Sequence, residues 1–288
     1  SDTNDEGILK ATASGVLPNG KAVIVNADGT VSVVAETSFS EATGSATVFE
    51  SADSENIAIT FDSNLNKIVI AFRDTGNSNY GTAIVGTVSS NSISFGTAVV
   101  FESAATESIA ATFDTNSNKV VLCYKDSGNS SRGTSIVGTV SGTGISFGSA
   151  VVFDTSTASD LSATFDTDTN KVIFAYQQGG TNTGRAVVGA VSGTNISFGS
   201  TVAFDSAGGG WISVTYDSSA SKVVIAFTDD SNSYGTAIVG TVSGTAISFG
   251  TKVVFESASS RYMSAAYDSS NNKVVIGYAD LGNSTYGT

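Results

Sequence analysis

An aromatic residue followed by aspartate returns along this chain at a nearly fixed interval, and that interval limits the folds open to it. The pairs are Phe61-Asp62, Phe113-Asp114, Phe165-Asp166, Tyr216-Asp217 and Tyr267-Asp268, spaced by 52, 52, 51 and 51 residues. A Ser-Phe-Gly marker at Phe95, Phe147, Phe198 and Phe249 steps by 52, 51 and 51. Two markers in constant register define one structural module. A module of roughly 40 to 50 residues with several short strands is the signature of a β-propeller blade.

One unit, 57 to 108, reads as four strands. Ile57 to Asp62 is short and apolar, and Ser63-Asn64-Leu65-Asn66 follows as an Asx-type turn. Lys67 to Phe72 is the second strand, and the polar loop 73–79 leads to a third from Tyr80 to Val88. Ser92 to Phe101 is the fourth, and Glu102 to Glu107 connects to the next unit. Connections this short imply an antiparallel meander. The second strand is apolar on both faces: Ile68, Ile70 and Phe72 point one way, Val69 and Ala71 the other. A sheet of that kind must be covered on both sides, as radially packed blades are. Sandwich domains need about 100 residues per unit, twice what is present.

The predicted fold is therefore an all-β propeller of four-stranded antiparallel blades. Whole repeats lie near 57–108, 109–160, 161–211 and 212–262. A composite blade joins 263–288 to 29–50, because Gly29-Thr30 and Phe49-Glu50 each precede a matching pair by 52 residues. That gives five blades closed by strands from both ends. Asn19 to Val25 also resembles a second strand, so residues 1–28 are an extension or a degenerate half-blade; in the latter case the ring has six blades or more.

Composition narrows the chemistry. The net charge is −13 and there is no histidine. An acidic surface repels phosphate backbones, so nucleic acid is not an expected partner, and no apolar run has the length of a membrane span. Without histidine, Ser-His and Cys-His nucleophile pairs and imidazole metal sites are excluded. The single cysteine, Cys123, lies within an apolar strand and reads as a core residue. No cofactor is implied, and Asp166-x-Asp168-x-Asn170 lacks the glycine and bidentate glutamate of a calcium loop. Glycosidases need only carboxylates and survive this filter.

The candidate binding residues come from the differences between repeats. At the entry to the first strand the aligned residues are Asn56, Ser108, Asp160, Trp211 and Tyr262, preceded by Glu55, Glu107, Ser159, Gly210 and Arg261. In a propeller this position lines the mouth of the central channel. Trp211, Arg261 and Tyr262, with Asn56, Asp160, Glu55 and Glu107, form the expected ligand surface: aromatic faces for stacking on sugars, polar groups for hydroxyls. The loops opened by Asp74, Asp126 and Asp280 are a second candidate. The repeated Asp after each aromatic reads as a turn residue.

The segment Ala11-Thr12-Ala13-Ser14-Gly15 with Asn19 to Ser32 resembles the opening of structural proteins of tailed bacteriophages, especially marine ones. Units such as Lys273 to Asp280 and Gly235 to Val242 are similar to repeats in such proteins. The resemblance implies a virion or extracellular protein that contacts a glycan or cell-surface receptor, with other virion proteins as further partners. The reading that follows is a non-enzymatic carbohydrate-binding module. Its alternatives are a purely structural virion decoration or spacer protein and a carboxylate glycosidase.

Overall fold

The computed structural model describes residues 12–13, 15–16, 23–28, 30–33 and 43–288. The chain divides into two units, Ser1–Gly44 and Ser45–Thr288. In the first, Thr30–Val33 lies between Thr12–Ala13, which runs parallel to it, and Val23–Val25, which runs antiparallel. Asp28 accepts the Thr30 amide at 3.0 Å and shapes the turn between the last two strands.

This arrangement corrects the expected ring closure. Thr30–Val33 takes Val23–Val25 and Thr12–Ala13 as its hydrogen-bonded neighbours, so it is not the third strand of a composite blade. A polar turn between two Val-rich strands forms a local hairpin, and that pairing is available before any distant one. Residues 34–42, also assigned to the closing blade, lie outside the described residues. The second edge of Lys273–Asp280 is paired with Tyr286–Gly287.

The second unit is a series of antiparallel blades. Blade one holds Ser54–Asp62, Lys67–Asp74 and Tyr80–Ser89 in order. Its fourth position is split. Ser92–Phe95 pairs with one end of the third strand, and the start of Val99–Asp114 pairs with the other. The single fourth strand expected from Ser92 to Phe101 is thus interrupted at residues 96–98. The expected connector, Glu102 to Glu107, is itself strand: Val99–Asp114 leaves blade one at its outer edge and becomes the inner strand of blade two. Val151–Asp166 and Val253–Asp268 make the same passage. Between blades three and four the passage breaks into Val202–Asp205 and Gly209–Asp217.

Local chemistry explains the first hairpin of every blade. Asp62, Asp114, Asp166, Asp217 and Asp268 each accept two amides of the following turn through Oδ1, at 2.9 to 3.2 Å. The turn closes on a left-handed residue at Asn66, Asn118, Asn170, Ser221 and Asn272. Asn tolerates that region better than most side chains.

Blades pack face to face through a recurring pair of surfaces. Val69, Ala71, Ala83 and Val85 of blade one meet Ile109, Phe113, Val120, Leu122 and Tyr124 of blade two. Blades two and three, and three and four, repeat the arrangement with equivalent residues. Tyr124 and Tyr176 are fully buried and donate their hydroxyls to Glu102 and Asp154 at 3.1 and 2.7 Å. Cys123 is buried in this core and its thiol pKa is pushed up by burial, which makes it inert. No helix among the described residues is long and apolar enough to cross a membrane.

Candidate functional site

Each inner strand enters its blade through a bulge. The register slips between Glu55 and Ala58, Glu107 and Ala110, Ser159 and Ser162, Gly210 and Ser213, and Arg261 and Ser264. One residue per bulge is left-handed: Asn56 (φ 50°), Ser108 (46°), Asp160 (49°), Trp211 (51°) and Tyr262 (57°). These are the variable positions singled out from the sequence. Glycine would relieve a strain of about 1–3 kcal/mol at such a position, yet none of the five is glycine. For Trp and Tyr the conformation is a true outlier. Retaining them there places their rings where an unstrained backbone would not.

These residues contact one another in series. Asn56 Oδ1 accepts the Ser108 amide at 3.0 Å, and Asp160 Oδ2 accepts the Trp211 amide at 3.4 Å. The Trp211 and Tyr262 rings stand 4.4 Å apart at 57°. The structure therefore joins Asp160, Trp211 and Tyr262, and keeps Asn56 with Ser108.

At blades one and two the carboxylates of this rim are neutralised. Arg73 Nη1 lies 3.2 Å from Glu55 and 3.9 Å from Glu107, and Lys125 Nζ lies 2.8 Å from Glu107. Lys125 beside it holds the Glu107 carboxyl below its usual range despite partial burial. Both glutamates are thus held in ion pairs.

At blades three and four the same positions are filled differently. Arg73 and Lys125 are replaced by Gln177 and Thr228. Position 75 of the first repeat, occupied by Thr75, Ser127, Gly179 and Leu281 elsewhere, becomes Asp230. Gln177 Nε2 donates to Asp230 Oδ2 at 3.1 Å, and the Asp230 amide donates to the Gly208 carbonyl at 3.1 Å. Burial raises the pKa of Asp160, opposed by the Trp211 N–H. Burial also raises that of Asp230, and the negative charges of Asp160, Asp229 and Asp205 push in the same direction. Among the described residues no ion pair reaches either carboxylate.

The glycines of this repeat make the space. A Cβ on Gly208 (φ 113°) would sit 2.6 Å from Asp230 Oδ2. A Cβ on Gly210 would meet nothing closer than Asp160 Oδ2 and Asp230 Oδ1, each at 3.6 Å. Gly210 is thus flanked by both carboxylates, and Asp160 Oδ2 and Asp230 Oδ1 can be no further apart than twice that distance. The equivalent positions carry Glu55, Glu107, Ser159 and Arg261, all of which would project a side chain. Lys252, which stands where Ala98, Ala150 and Thr201 stand elsewhere, bonds Asp205 and Asp229 at 2.6 Å each. It neutralises the two buried neighbours and leaves Asp230 unpaired.

The remaining predicted residues have other duties. Asp74 and Asp126 are buried caps, each accepting the third amide of a single helical turn, from Asn77 and Asn129, at 3.1 Å. Asp280 accepts the Gly282 and Asn283 amides at 2.9 and 3.2 Å. One oxygen of each carboxylate thus caps its own loop backbone. Arg261 is exposed and outside every ion pair among the described residues. Asp230 and Gln177 read in the sequence only as members of the polar loops between second and third strands and were not singled out as site residues. The signal was there: one acidic residue in a column otherwise Thr, Ser, Gly and Leu.

No protein-family model and no curated protein sequence matches the chain. Solved structures do. A protein of unknown function from Dyadobacter fermentans superposes with a TM-score of 0.54 at 11% identity, covering 79% of this chain and 72% of its own. An exo-β-1,3-galactanase from Phanerochaete chrysosporium, solved with β-1,3-galactotriose, gives a TM-score of 0.52 at 8% identity. That match covers 85% of this chain and 64% of the galactanase, so the chain spans just under two thirds of that enzyme's length. At these identities the likeness is one of fold. It nevertheless corrects the expectation of a non-enzymatic binding module. The galactanase is a glycosidase built on the same fold, so the fold gives the non-enzymatic reading no support.

Proposed function

We propose that this chain is a carboxylate-dependent glycoside hydrolase whose reacting groups are Asp160 and Asp230. One observation carries the reading: two carboxylates without cationic partners flank Gly210 from adjacent blades, and each is pushed toward its protonated form. Glycosidic cleavage needs one carboxylic acid to protonate the leaving oxygen and one carboxylate across the bond. Asp160 suits the acid, since burial is the main cause of its raised pKa. Asp230 takes the carboxylate role, since it is the more exposed of the two and accepts the Gln177 amide. Asp160 gives its proton to the glycosidic oxygen as the C–O bond breaks. Asp230 either attacks the anomeric carbon or takes the proton of an attacking water. Separations of about 5–5.5 Å accompany the first course and about 6.5–9.5 Å the second.

Trp211 and Tyr262 offer rings beside the acid for stacking on a sugar face. The unpaired acidic charge and the net charge of −13 disfavour sialosides and uronides. The substrate class is a neutral glycan, and the galactotriose bound by the similar galactanase makes β-galactans the first to try. The test is incubation with neutral and acidic oligosaccharides, with the anomer of the first product read by proton NMR. Turnover of a neutral glycan, lost in Asp160→Asn and Asp230→Asn, supports the reading. No turnover of any glycan by folded protein, or turnover unchanged in both variants, overturns it.

A further inference from the structure

In blade four a lysine takes over from a tyrosine hydroxyl. Tyr124, Tyr176 and Tyr278 donate to Glu102, Asp154 and Glu256 at 3.1, 2.7 and 3.2 Å, and each bond ties a second strand to the outer edge of the blade before it. Blade four has Phe227 at that position. Its ring lies 5.0 Å from Phe204, much as Tyr124 lies 5.2 Å from Phe101 and Tyr176 5.2 Å from Phe153. It has no hydroxyl for Asp205, which sits on the edge of blade three. Lys252 Nζ supplies the donor, 2.6 Å from Asp205. It also lies 2.6 Å from Asp229, and that second contact has no counterpart. The equivalents of Asp229 are Asp74, Asp126, Gln178 and Asp280, and among the described residues none of them meets a cation. Asp229 in turn shapes the loop that carries Asp230: Oδ1 accepts the Ser231 amide at 3.0 Å, and its carbonyl accepts the Asn232 and Ser233 amides at 3.2 and 2.7 Å. A blade forms without either tie, since blade one has Phe72 and Ala98 at these positions and its strands pair in the same order.

We propose that Lys252 is a positioning residue for Asp230: it clamps Asp229 to the edge of blade three and so holds the next carboxylate beside Gly210, within reach of Asp160. The inference rests on Asp230 being a reacting group. The charged groups around Asp230 are Asp160 from the inner strand of blade three, Asp205 from its outer edge, and Asp229 and Lys252 from blade four, while Gln177 is neutral. Lys252 is the cation among them, so it also limits the repulsion that Asp205 and Asp229 exert on Asp230.

Two variants of the full chain separate positioning from stability. Lys252→Ala removes both contacts. Adding Phe227→Tyr to it rebuilds the tie to Asp205 made elsewhere by Tyr124, Tyr176 and Tyr278, and leaves Asp229 unclamped. Lys252→Ala should lower the urea midpoint and lower kcat by about 10–100-fold, the scale of a misplacement of up to 1 Å, with KM nearly unchanged. The double variant should regain the urea midpoint and not kcat. Carbon-13 NMR of the Asp230 carboxyl needs no turnover. It should show Asp230 titrating at higher pH than in the native protein in both variants, because Asp205 and Asp229 then face it without their cation, and this arm decides if the midpoint does not return. A kcat that recovers together with the midpoint reduces Lys252 to a structural tie and overturns the inference. An Asp230 titration unchanged from the native protein overturns it too. A shifted titration in a protein that turns over no glycan sinks the hydrolase reading and leaves the clamp standing.

Discussion

The rim at blades one and two and the rim at blades three and four share one backbone and hold opposite electrostatics. Both enter the inner strand through a left-handed bulge residue. In the first half, Glu55 and Glu107 are matched by Arg73 and Lys125. In the second half, the cations have become Gln177 and Thr228, Gly210 has removed a side chain, and Asp230 has been added. The result is a pair of carboxylates that nothing neutralises. A repeat protein can thus keep one scaffold and place chemistry in one part of it through a few residues. The half that is balanced for stability shows, by contrast, what the other half has given up.

The largest expected effect tests that contrast directly. Asp160→Asn and Asp230→Asn should each lower kcat by about 10²–10⁴-fold, the range for losing a positioned acid or base. Glu107→Gln in the balanced half should leave kcat within a few-fold. Equal losses in the two halves, measured by initial rates on the best neutral substrate, would dissolve the distinction.

The pH dependence sharpens it. Activity should follow a bell: the acidic limb falls as Asp230 gains a proton, the basic limb as Asp160 loses its own. Stability has its own sign. A carboxyl whose pKa is higher folded than unfolded binds more protons in the native state, so it favours folding at low pH and opposes it once ionised. Asp160→Asn should therefore raise Tm at neutral pH, and the gain should shrink as pH falls toward the ordinary carboxylate value. A lower Tm at neutral pH would mean that Asp160 is a structural charge.

Trp211→Gly separates ring from backbone. Glycine accepts φ 51° without strain, so Tm should hold or rise while KM rises about ten-fold, the size of a stacking contact of ~1.5 kcal/mol. A changed kcat with unchanged KM would remove the ring from substrate binding.

Lys252→Met should destabilise the protein by about 1–3 kcal/mol, because two buried carboxylates lose their shared cation while that cation is itself partly exposed. Urea denaturation measures it. The smallest effect belongs to the balanced half: Glu107→Gln should cost under about 1 kcal/mol, as partly exposed pairs do. A larger cost there would show that the Arg73–Glu107–Lys125 chain is structurally essential.

The repeat, the strand order within a blade, the turn role of Asp62 and its equivalents, and the core place of Cys123 were legible in the sequence, because they depend on local pattern and on register repeated every 51 or 52 residues. The variable rim position was legible too, as a column of unlike residues. What the sequence left open was which of those residues act together. Asp74, Asp126 and Glu107 look as available as Asp160 when only spacing is known. Tertiary structure decides among them, since a carboxylate's chemistry depends on what faces it: backbone amides for Asp74 and Asp126, a lysine for Glu107, and for Asp160 a glycine shared with Asp230 from the neighbouring blade. The pairing of Thr30–Val33 was decided in the same way, by a nearby strand that took its hydrogen bonds.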